Sequence, residues 1–224
     1  MNTHTLVASA LPINDNLVAR GLLNNPDTQF LFTALPQRAG SNGPTDAFTP
    51  PAPLTIDGHV GDIVVEAGAQ LSSPTNSDKT GGRIALIGAN VTNAGSISTP
   101  DGQTILAAGL QVGLAAHDSS DPSLRGLDVF VGSVGTYAGA ATNTGLIDAP
   151  RASVVMAGKT IVQNGAVTST TSASLNGRID LLADYDAVGS GGYSNLPSFF
   201  PQSTGNVTFG AGSTLLYLLV PDSE

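Results

Sequence analysis

Gly82-Arg83-Ile84-Ala85-Leu86-Ile87-Gly88 contains the pattern that decides the fold, because apolar residues alternate after a glycine and a small residue follows them. The pattern has an apolar first residue, an apolar residue two places on and a small residue four places on. It begins at seven positions: Ile63, Ile84, Ile105, Val129, Val154, Ile179 and Val207. Alternation with a period of two is typical of a half-buried β-strand. The sequence therefore predicts an all-β protein built from repeats.

The spacing of the seven starts indicates the type of repeat. They are separated by 21, 21, 24, 25, 25 and 28 residues, whereas a propeller blade needs about 40 residues. Two further sets of apolar positions recur, one formed by Leu71, Val91, Val112, Ile161 and Leu215 and the other by Ile97, Ile147 and Val167. Three short strands per repeat favour a parallel β-helix with rungs of about 21 to 28 residues. We expect the seven starts to stack as one internal ladder, with neighbours about 4.8 Å apart.

The repeats occupy only part of the chain. Residues 1–60 are rich in proline and are predicted to form an irregular segment with one turn and one strand. Residues 61–220 form the predicted β-helix, and residues 221–224 form a short tail. Two insertions, residues 117–125 and 190–203, interrupt the repeats. Insertions on one side of such a stack often carry its binding surface.

The composition excludes several classes of function. Of the 224 residues, 41% are hydrophobic and 11% are charged, and 8 Lys and Arg against 17 Asp and Glu give a net charge of -9. This charge repels nucleic acid phosphates and anionic lipid head groups. The chain contains no cysteine, which excludes disulfides and thiolate metal sites. The late apolar run at residues 215–220 is too short to span a bilayer, so we expect neither nucleic acid binding nor membrane insertion.

Few residues suggest a catalytic or metal-binding site. The three histidines lie far apart and have no partner at metal-ligand spacing: His4, His59 and His117. Asp184-Tyr185-Asp186 brings two carboxylates together, and Asp118 with Asp121 is a weaker pair. Calcium needs more oxygen ligands than these pairs offer, and an acid/base pair must lie on both sides of a substrate. The sequence therefore predicts no metal, no cofactor and no catalytic residue.

A polysaccharide-acting enzyme is the main alternative to a structural protein, because some lyases and hydrolases of acidic polysaccharides are parallel β-helices. A lyase would need Asp clustered with Arg or Lys, and a hydrolase would need closely paired Asp residues. The chain has two lysines, Lys79 and Lys159, no adjacent Asp pair and no tryptophan to form a sugar platform. A structural or adhesive role is therefore favoured over an enzymatic one.

Residues 81–109, which include Asn93-Ala94-Gly95-Ser96-Ile97-Ser98, resemble the repeat region of filamentous haemagglutinin-like exoproteins. Fifty residues later, Asn143-Thr144-Gly145-Leu146-Ile147-Asp148 repeats the phrase, and the resemblance extends over residues 61–189. It implies a right-handed β-helix, two-partner secretion through an outer-membrane transporter, and a secreted or cell-surface location. It also implies an adhesin that binds a glycan or protein on host or neighbouring cells.

The same resemblance implies an export signal and an amino-terminal secretion module, and neither is evident in residues 1–60. We therefore expect the chain to be a fragment of a longer exoprotein, and a non-functional gene fragment is the alternative. Residues 214–220 are apolar on both faces of a strand. An uncovered apolar edge pairs readily with another chain, so we also expect end-to-end self-association.

Overall fold

Among the residues that the computed structural model describes, every regular element is a β-strand, which confirms the predicted all-β class. The structure describes residues 4–13, 30–35, 60–77, 81–116, 126–172, 176–189 and 199–220. The strands are β1 Thr5–Ser9, β2 Phe32–Thr33, β3 Ile63–Val65, β4 Gln70–Ser72, β5 Arg83–Gly88, β6 Val91–Asn93, β7 Ser96–Ser98, β8 Gln103–Ala108, β9 Gln111–Ala116, β10 Leu127–Val131, β11 Ala140–Asn143, β12 Leu146–Ala149, β13 Ser153–Ala157, β14 Thr160–Gln163, β15 Ala166–Thr171, β16 Arg178–Leu182, β17 Asp184–Tyr185, β18 Val188–Gly189, β19 Phe199–Phe200, β20 Ser203–Thr204, β21 Asn206–Phe209 and β22 Thr214–Leu219. Within these ranges no helix suited to crossing a membrane is found.

Three five-stranded parallel sheets contain most of the strands. Sheet one has the order β1-β5-β8-β13-β16, sheet two β3-β6-β11-β14-β21 and sheet three β4-β7-β12-β15-β22. The chain visits these sheets in turn, since β5, β6 and β7 lie in sheets one, two and three, and β8 then pairs with β5. We call one passage through the three sheets a repeat. The described strands form five repeats, which begin at β1, β5, β8, β13 and β16.

A single apolar cluster joins the three sheets. Its fully buried members come from sheet one (Ile84, Leu86, Leu106, Val154 and Met156), sheet two (Val91 and Ile161) and sheet three (Ile97, Ile147 and Val167). Ile97, Ile147 and Val167 are direct neighbours in sheet three, as their recurrence after a glycine predicts. Burying each such side chain stabilises the fold by about 1.5–3 kcal/mol. This apolar burial holds the short strands of the three sheets together.

The three central strands of sheet one, β5, β8 and β13, are buried on both faces. Their alternate residues point away from the first cluster and enter a second one: Ala85, Ile87, Ile105, Ala107, Val155 and Ala157. There they pack against buried residues of β9 and β10, among them Val112, Val129 and Val131. Strands covered on both faces have continuous apolar sequences rather than alternating ones. Residues 84–87 and 154–157 show such continuous runs.

Three segments leave the repeats at the same place, between a strand of sheet one and the next strand of sheet two. They are called the first, second and third insertions and comprise residues 10–62, 109–139 and 183–205. β2 of the first insertion pairs with β9 of the second, and β9 pairs with β10, both antiparallel. In the third insertion, the N–H groups of Asp186 and Ala187 donate to the carbonyls of Gly132 and Val131. The described parts of the three insertions thus form one layer, the lateral layer, which covers the outer face of sheet one.

The predicted single ladder of seven starts is wrong. Ile63 and Val207 lie in sheet two, and Val129 lies in the antiparallel sheet of the lateral layer. The other four starts lie in sheet one, but Ile105 pairs with Ala85 and not with Ile84, whose partner is Thr104. Ile105 therefore points towards the lateral layer, whereas Ile84 points into the cluster between the sheets.

The parallel sheets also begin earlier than residue 61, because β1 forms the edge of sheet one and pairs with β5 along five residues. The one strand predicted within residues 1–60 was expected near Phe30, and β2 is found close by at Phe32–Thr33. Other predicted features lie outside the described residues: the proline-rich stretch at 36–59, residues 117–125 and 190–198 of the two insertions, and the tail at 221–224.

Three buried side-chain amides lie in register where sheet two turns into sheet three. Asn93, Asn143 and Gln163 end the neighbouring strands β6, β11 and β14. Asn93 Nδ2 donates to Asn143 Oδ1 at 2.8 Å, and Asn143 Nδ2 donates to Gln163 Oε1 at 3.1 Å. Gln163 Nε2 donates to the carbonyl of Gly165, and Asn93 Oδ1 accepts the N–H of Gly95. We call Asn93, Asn143 and Gln163 the amide ladder.

An ion pair links two repeats where sheet three turns into sheet one. Arg151 binds Asp101 through two bonds, Nε to Oδ1 at 2.6 Å and Nη2 to Oδ2 at 3.0 Å. Both residues have left-handed backbones, with φ of 53° and 57°. Thr75 Oγ1 donates to Asp101 Oδ2 at 2.7 Å, so the contact spans three consecutive repeats. The pair holds two residues in a conformation that L side chains rarely adopt.

Replacing Asn143 by alanine is expected to destabilise the protein, because it removes the partner of Asn93 Nδ2 and of Gln163 Oε1 in a buried site. Each unsatisfied buried group costs about 1–3 kcal/mol. Urea unfolding of Asn143→Ala and of Asn164→Ala makes the comparison, since Asn164 is exposed and should cost about 1 kcal/mol or less. Equal losses for the two variants would contradict a stabilising role for the amide ladder.

Candidate functional site

The lateral layer is the candidate functional surface, and three phenylalanines, one from each insertion, meet on it. The rings of Phe30 and Phe199 have centroids 4.9 Å apart, and those of Phe130 and Phe199 are 5.1 Å apart. Phe199 is buried between the other two, which are half-buried. Ring centroids at 4.5–7 Å are in the favourable range for aromatic pairs. The trio therefore joins segments that are distant in sequence into one surface.

Two glycines of the lateral layer make room for these rings. A Cβ atom at Gly113 of β9 would lie 2.9 Å from Cζ of Phe199, and one at Gly132 would lie 2.6 Å from Cζ of Phe30. Carbon atoms in ordinary contact are about 3.5–4.0 Å apart. A side chain at either position would displace a ring, so the aromatic trio depends on glycine beneath it.

Gln103 of sheet one attaches the lateral layer to the repeats. Its Nε2 donates to the carbonyl of Leu127 at 2.8 Å, and its Oε1 accepts the N–H of Leu127 at 2.9 Å. The same Oε1 accepts Nε of Arg83 at 3.1 Å. Burial lowers the pKa of Arg83 from its ordinary value because it desolvates the charged guanidinium. These contacts fix the position at which β10 begins.

Asp184 and Asp186, the predicted carboxylate pair, lie in the third insertion. Asp184 pairs with Thr204 through the antiparallel strands β17 and β20. Asp186 has a φ of 55°, and its Oδ2 accepts Oγ of Ser203 at 3.0 Å. Beside them, Lys159 Nζ lies 5.5 Å from the ring centre of Tyr185. The carboxylate of Asp186 thus links the end of β17 to the start of β20.

The structure brings no metal-ligand cluster together at those sequence candidates that lie among the described residues. In the described ranges, no three side chains from His, Asp and Glu are grouped so that they could hold a metal ion. His4 is exposed near the start of β1, and its backbone carbonyl accepts Arg83 N–H and Ser73 Oγ. His59, His117, Asp118 and Asp121 lie outside the described residues.

The outer face of sheet two forms a second surface. One row of side chains crosses all five of its strands in register: Val64, Thr92, Thr142, Val162 and Thr208. β-branched side chains pack well as cross-strand neighbours, which suits them to a flat pleated face. Val64, at one edge of this row, is 60% exposed. Substitutions on this surface can serve as controls for substitutions on the lateral layer, because both surfaces carry exposed valines.

No family model, curated protein or solved structure matches this chain.

The position of the lateral layer follows from the sequence to the extent that two insertions were predicted on one side of the repeats. The aromatic trio was missed, because its members are separated by about a hundred and by about seventy residues. A usable signal was present, since each insertion contains a phenylalanine and the second contains one glycine within a strand, Gly113, and one directly after a strand, Gly132.

Adding calcium or zinc is expected to leave the melting temperature unchanged. A ligand that binds only the folded state raises the melting temperature as the ligand saturates its site. Among the described residues, no further carboxylate joins Asp184 and Asp186 to complete a site. Calorimetry with and without each metal makes the test. A shift of several degrees that disappears in Asp184→Asn or Asp186→Asn would contradict this prediction.

Proposed function

We propose that the chain is a segment of a filamentous haemagglutinin-like exoprotein, folded as a right-handed parallel β-helix and acting in cell adhesion. The observation that carries the proposal is the adjacency of Asn93 and Asn143. These residues begin the two phrases that resemble the family, and they lie in register although fifty residues separate them. Such stacking is the arrangement expected if each phrase marks the same corner of successive rungs.

The lateral layer is the proposed adhesive surface. Its three insertions leave the repeats at one corner and are fixed to sheet one by the second apolar cluster. A rigid scaffold that carries connecting segments on one side is a common way to present a binding surface. The half-buried Phe30 and Phe130 and the exposed Val188 of β18 supply apolar contact area there. The proposed ligand is a glycan or protein on the surface of host or neighbouring cells.

Two further parts of the proposal follow from the family resemblance. The parent protein would reach the cell surface through an outer-membrane transporter, and this chain would be displayed there or secreted. Neither a catalytic residue nor a cofactor has a place in this function. Genomic sequence on either side of the coding region, with a secretion module and a transporter gene, would support this part of the proposal.

A polysaccharide-acting enzyme is the second candidate function, because Asp184 and Asp186 lie close together in the third insertion. Against an enzyme, Asp186 already accepts a hydrogen bond from Ser203, and the doubly bonded Asp–Arg pair, Asp101 with Arg151, closes a corner. Release of reducing or unsaturated sugars from polygalacturonate would favour the enzyme. A chain with neither adhesion nor activity would favour the third alternative, a non-functional gene fragment.

Adhesion is tested by titrating the fluorescently labelled chain onto cultured cells. Val188→Glu, on the lateral layer, is expected to weaken binding about tenfold or more, because it places a charge in the contact. Val64→Glu, on the outer face of sheet two, is the matched control and is expected to bind as the unsubstituted chain does. Pretreatment of the cells with protease or with glycosidases identifies the ligand as protein or glycan.

Equal binding by both variants would exclude the lateral layer as the adhesive surface. Loss of binding in Val64→Glu alone would move the surface to sheet two. Thermal melting of each variant accompanies the titration, since both valines are exposed and neither substitution should shift the melting temperature.

A further inference from the structure

A single hydroxyl group contacts both polar groups of an Asn-Gly pair at the corner where sheet three turns into sheet one. Thr171 is the last residue of β15, and Asn176 and Gly177 directly precede β16. Thr171 Oγ1 accepts the N–H of Gly177 at 3.1 Å and donates to Oδ1 of Asn176 at 3.4 Å. We call Thr171, Asn176 and Gly177 the asparagine corner.

Tyr217 of β22 orients this hydroxyl group. Its Oη lies 2.5 Å from Thr171 Oγ1 and 3.3 Å from the carbonyl of Gly177. A hydroxyl has one proton to donate and two lone pairs with which to accept. The shorter contact takes the tyrosine proton, so Thr171 Oγ1 accepts from both Tyr217 and Gly177. The proton of Thr171 is then directed to the amide oxygen of Asn176.

Gly177 packs too closely for any side chain. A Cβ atom at this position would overlap Oγ of Ser169 and the carbonyl of Thr170. Because Gly177 has no side chain, its backbone nitrogen is open to the side chain of Asn176. An asparagine side chain is long enough to reach the nitrogen of the next residue and close a succinimide ring, and asparagine is among the thermolabile residues.

A second pair, Asn164-Gly165, provides a comparison within the same chain. Asn164 and Asn176 are both exposed, so access to water does not distinguish them. The amide oxygen of Asn164 accepts the N–H of Gly212 at 3.1 Å. In the described part of the chain, no hydroxyl group bridges that amide and the N–H of Gly165. The third pair, Asn42-Gly43, lies outside the described residues.

We propose that Asn176 modifies itself, passing through a succinimide to aspartate and isoaspartate, with Thr171 as the catalytic residue. The backbone nitrogen of Gly177 attacks Cγ of Asn176, and the new N–Cγ bond forms. Thr171 Oγ1 takes the proton of this nitrogen and passes its own proton to Oδ1, where negative charge develops. The proton on Oδ1 is then transferred to Nδ2, the Cγ–Nδ2 bond breaks and ammonia leaves.

Water is the only further reactant. It adds to one of the two ring carbonyls, and the bond from that carbonyl to the ring nitrogen breaks. Breakage at Cγ gives aspartate, and breakage in the original main chain gives isoaspartate, whose main chain is longer by one CH2 group. Either product adds a carboxylate just before β16, the edge strand of sheet one. The modification goes beyond the proposed adhesive function and does not depend on it.

Peptide mass spectrometry of the full chain, incubated at neutral pH, tests the proposal. Conversion replaces NH2 by OH and raises the peptide mass, and chromatography separates the aspartate and isoaspartate peptides. In the folded chain we expect Asn176 to convert about tenfold or more faster than Asn164, because a positioned proton-transfer group accelerates the reaction. In urea the two residues should convert at similar rates, since the acceleration depends on the fold. Equal rates in the folded chain, or slower conversion of Asn176 there than in urea, would overturn the proposal.

Substitutions of Thr171 separate catalysis from packing. Thr171→Val has nearly the same shape but lacks the hydroxyl, and it is expected to slow conversion of Asn176 about tenfold or more and to leave Asn164 unchanged. Thr171→Ser keeps the hydroxyl and should convert at close to the original rate. Unchanged or faster conversion of Asn176 in Thr171→Val would contradict the catalytic role, since the hydroxyl would then be idle or protective. If Thr171→Val also changes the rate at Asn164, the variant is unfolded, and the comparison of the folded chain with urea decides.

Discussion

The hydrogen bonds of the amide ladder set the register of the repeats. Asn93, Asn143 and Gln163 are fully buried, and each amide is bonded to the next. Sliding one strand by a residue would move an amide to the other face of the sheet and leave its neighbours unpaired in an apolar interior. Apolar packing alone is less selective, because Ile, Val and Leu exchange at modest cost. The ladder therefore makes one alignment of the strands much more favourable than its competitors.

That alignment has consequences for sheet one and for the surface above it. With successive strands in register, alternate residues of sheet one form a continuous apolar face away from the first cluster. The face consists of small and medium side chains such as Ala85, Ile105 and Val155, and a second sheet can pack closely on it. The first and second insertions supply that second sheet as β2, β9 and β10, and Gln103 fixes where β10 attaches. Thus the proposed binding surface depends on the same register that holds the repeats together.

The sequence predicts sheet three well and sheet one poorly, for a physical reason. Strands of sheet three are short and have one buried face, so Ile97, Ile147 and Val167 stand out against polar neighbours and identify their own register. Strands of sheet one are apolar on both faces, so apolar and polar residues do not alternate along them. The sequence then does not show which residues share a face. The pattern beginning at Ile105 is thus displaced by one residue from that beginning at Ile84. The aromatic trio is harder still to predict, since it depends on contacts between three insertions.

Disulfide formation between Ser98→Cys and Asp148→Cys tests the stacking of the repeats most directly. The two positions are fifty residues apart in the chain but are direct neighbours in sheet three, where Cα atoms of adjacent strands lie about 4.8 Å apart. Oxidation should join them at once in the folded monomer, since a disulfide spans about 4.4–6.8 Å between Cα atoms. Ser98→Cys with Thr168→Cys, two strands apart, should stay reduced. Ready formation of the second disulfide, or failure of the first, would contradict the stacked arrangement.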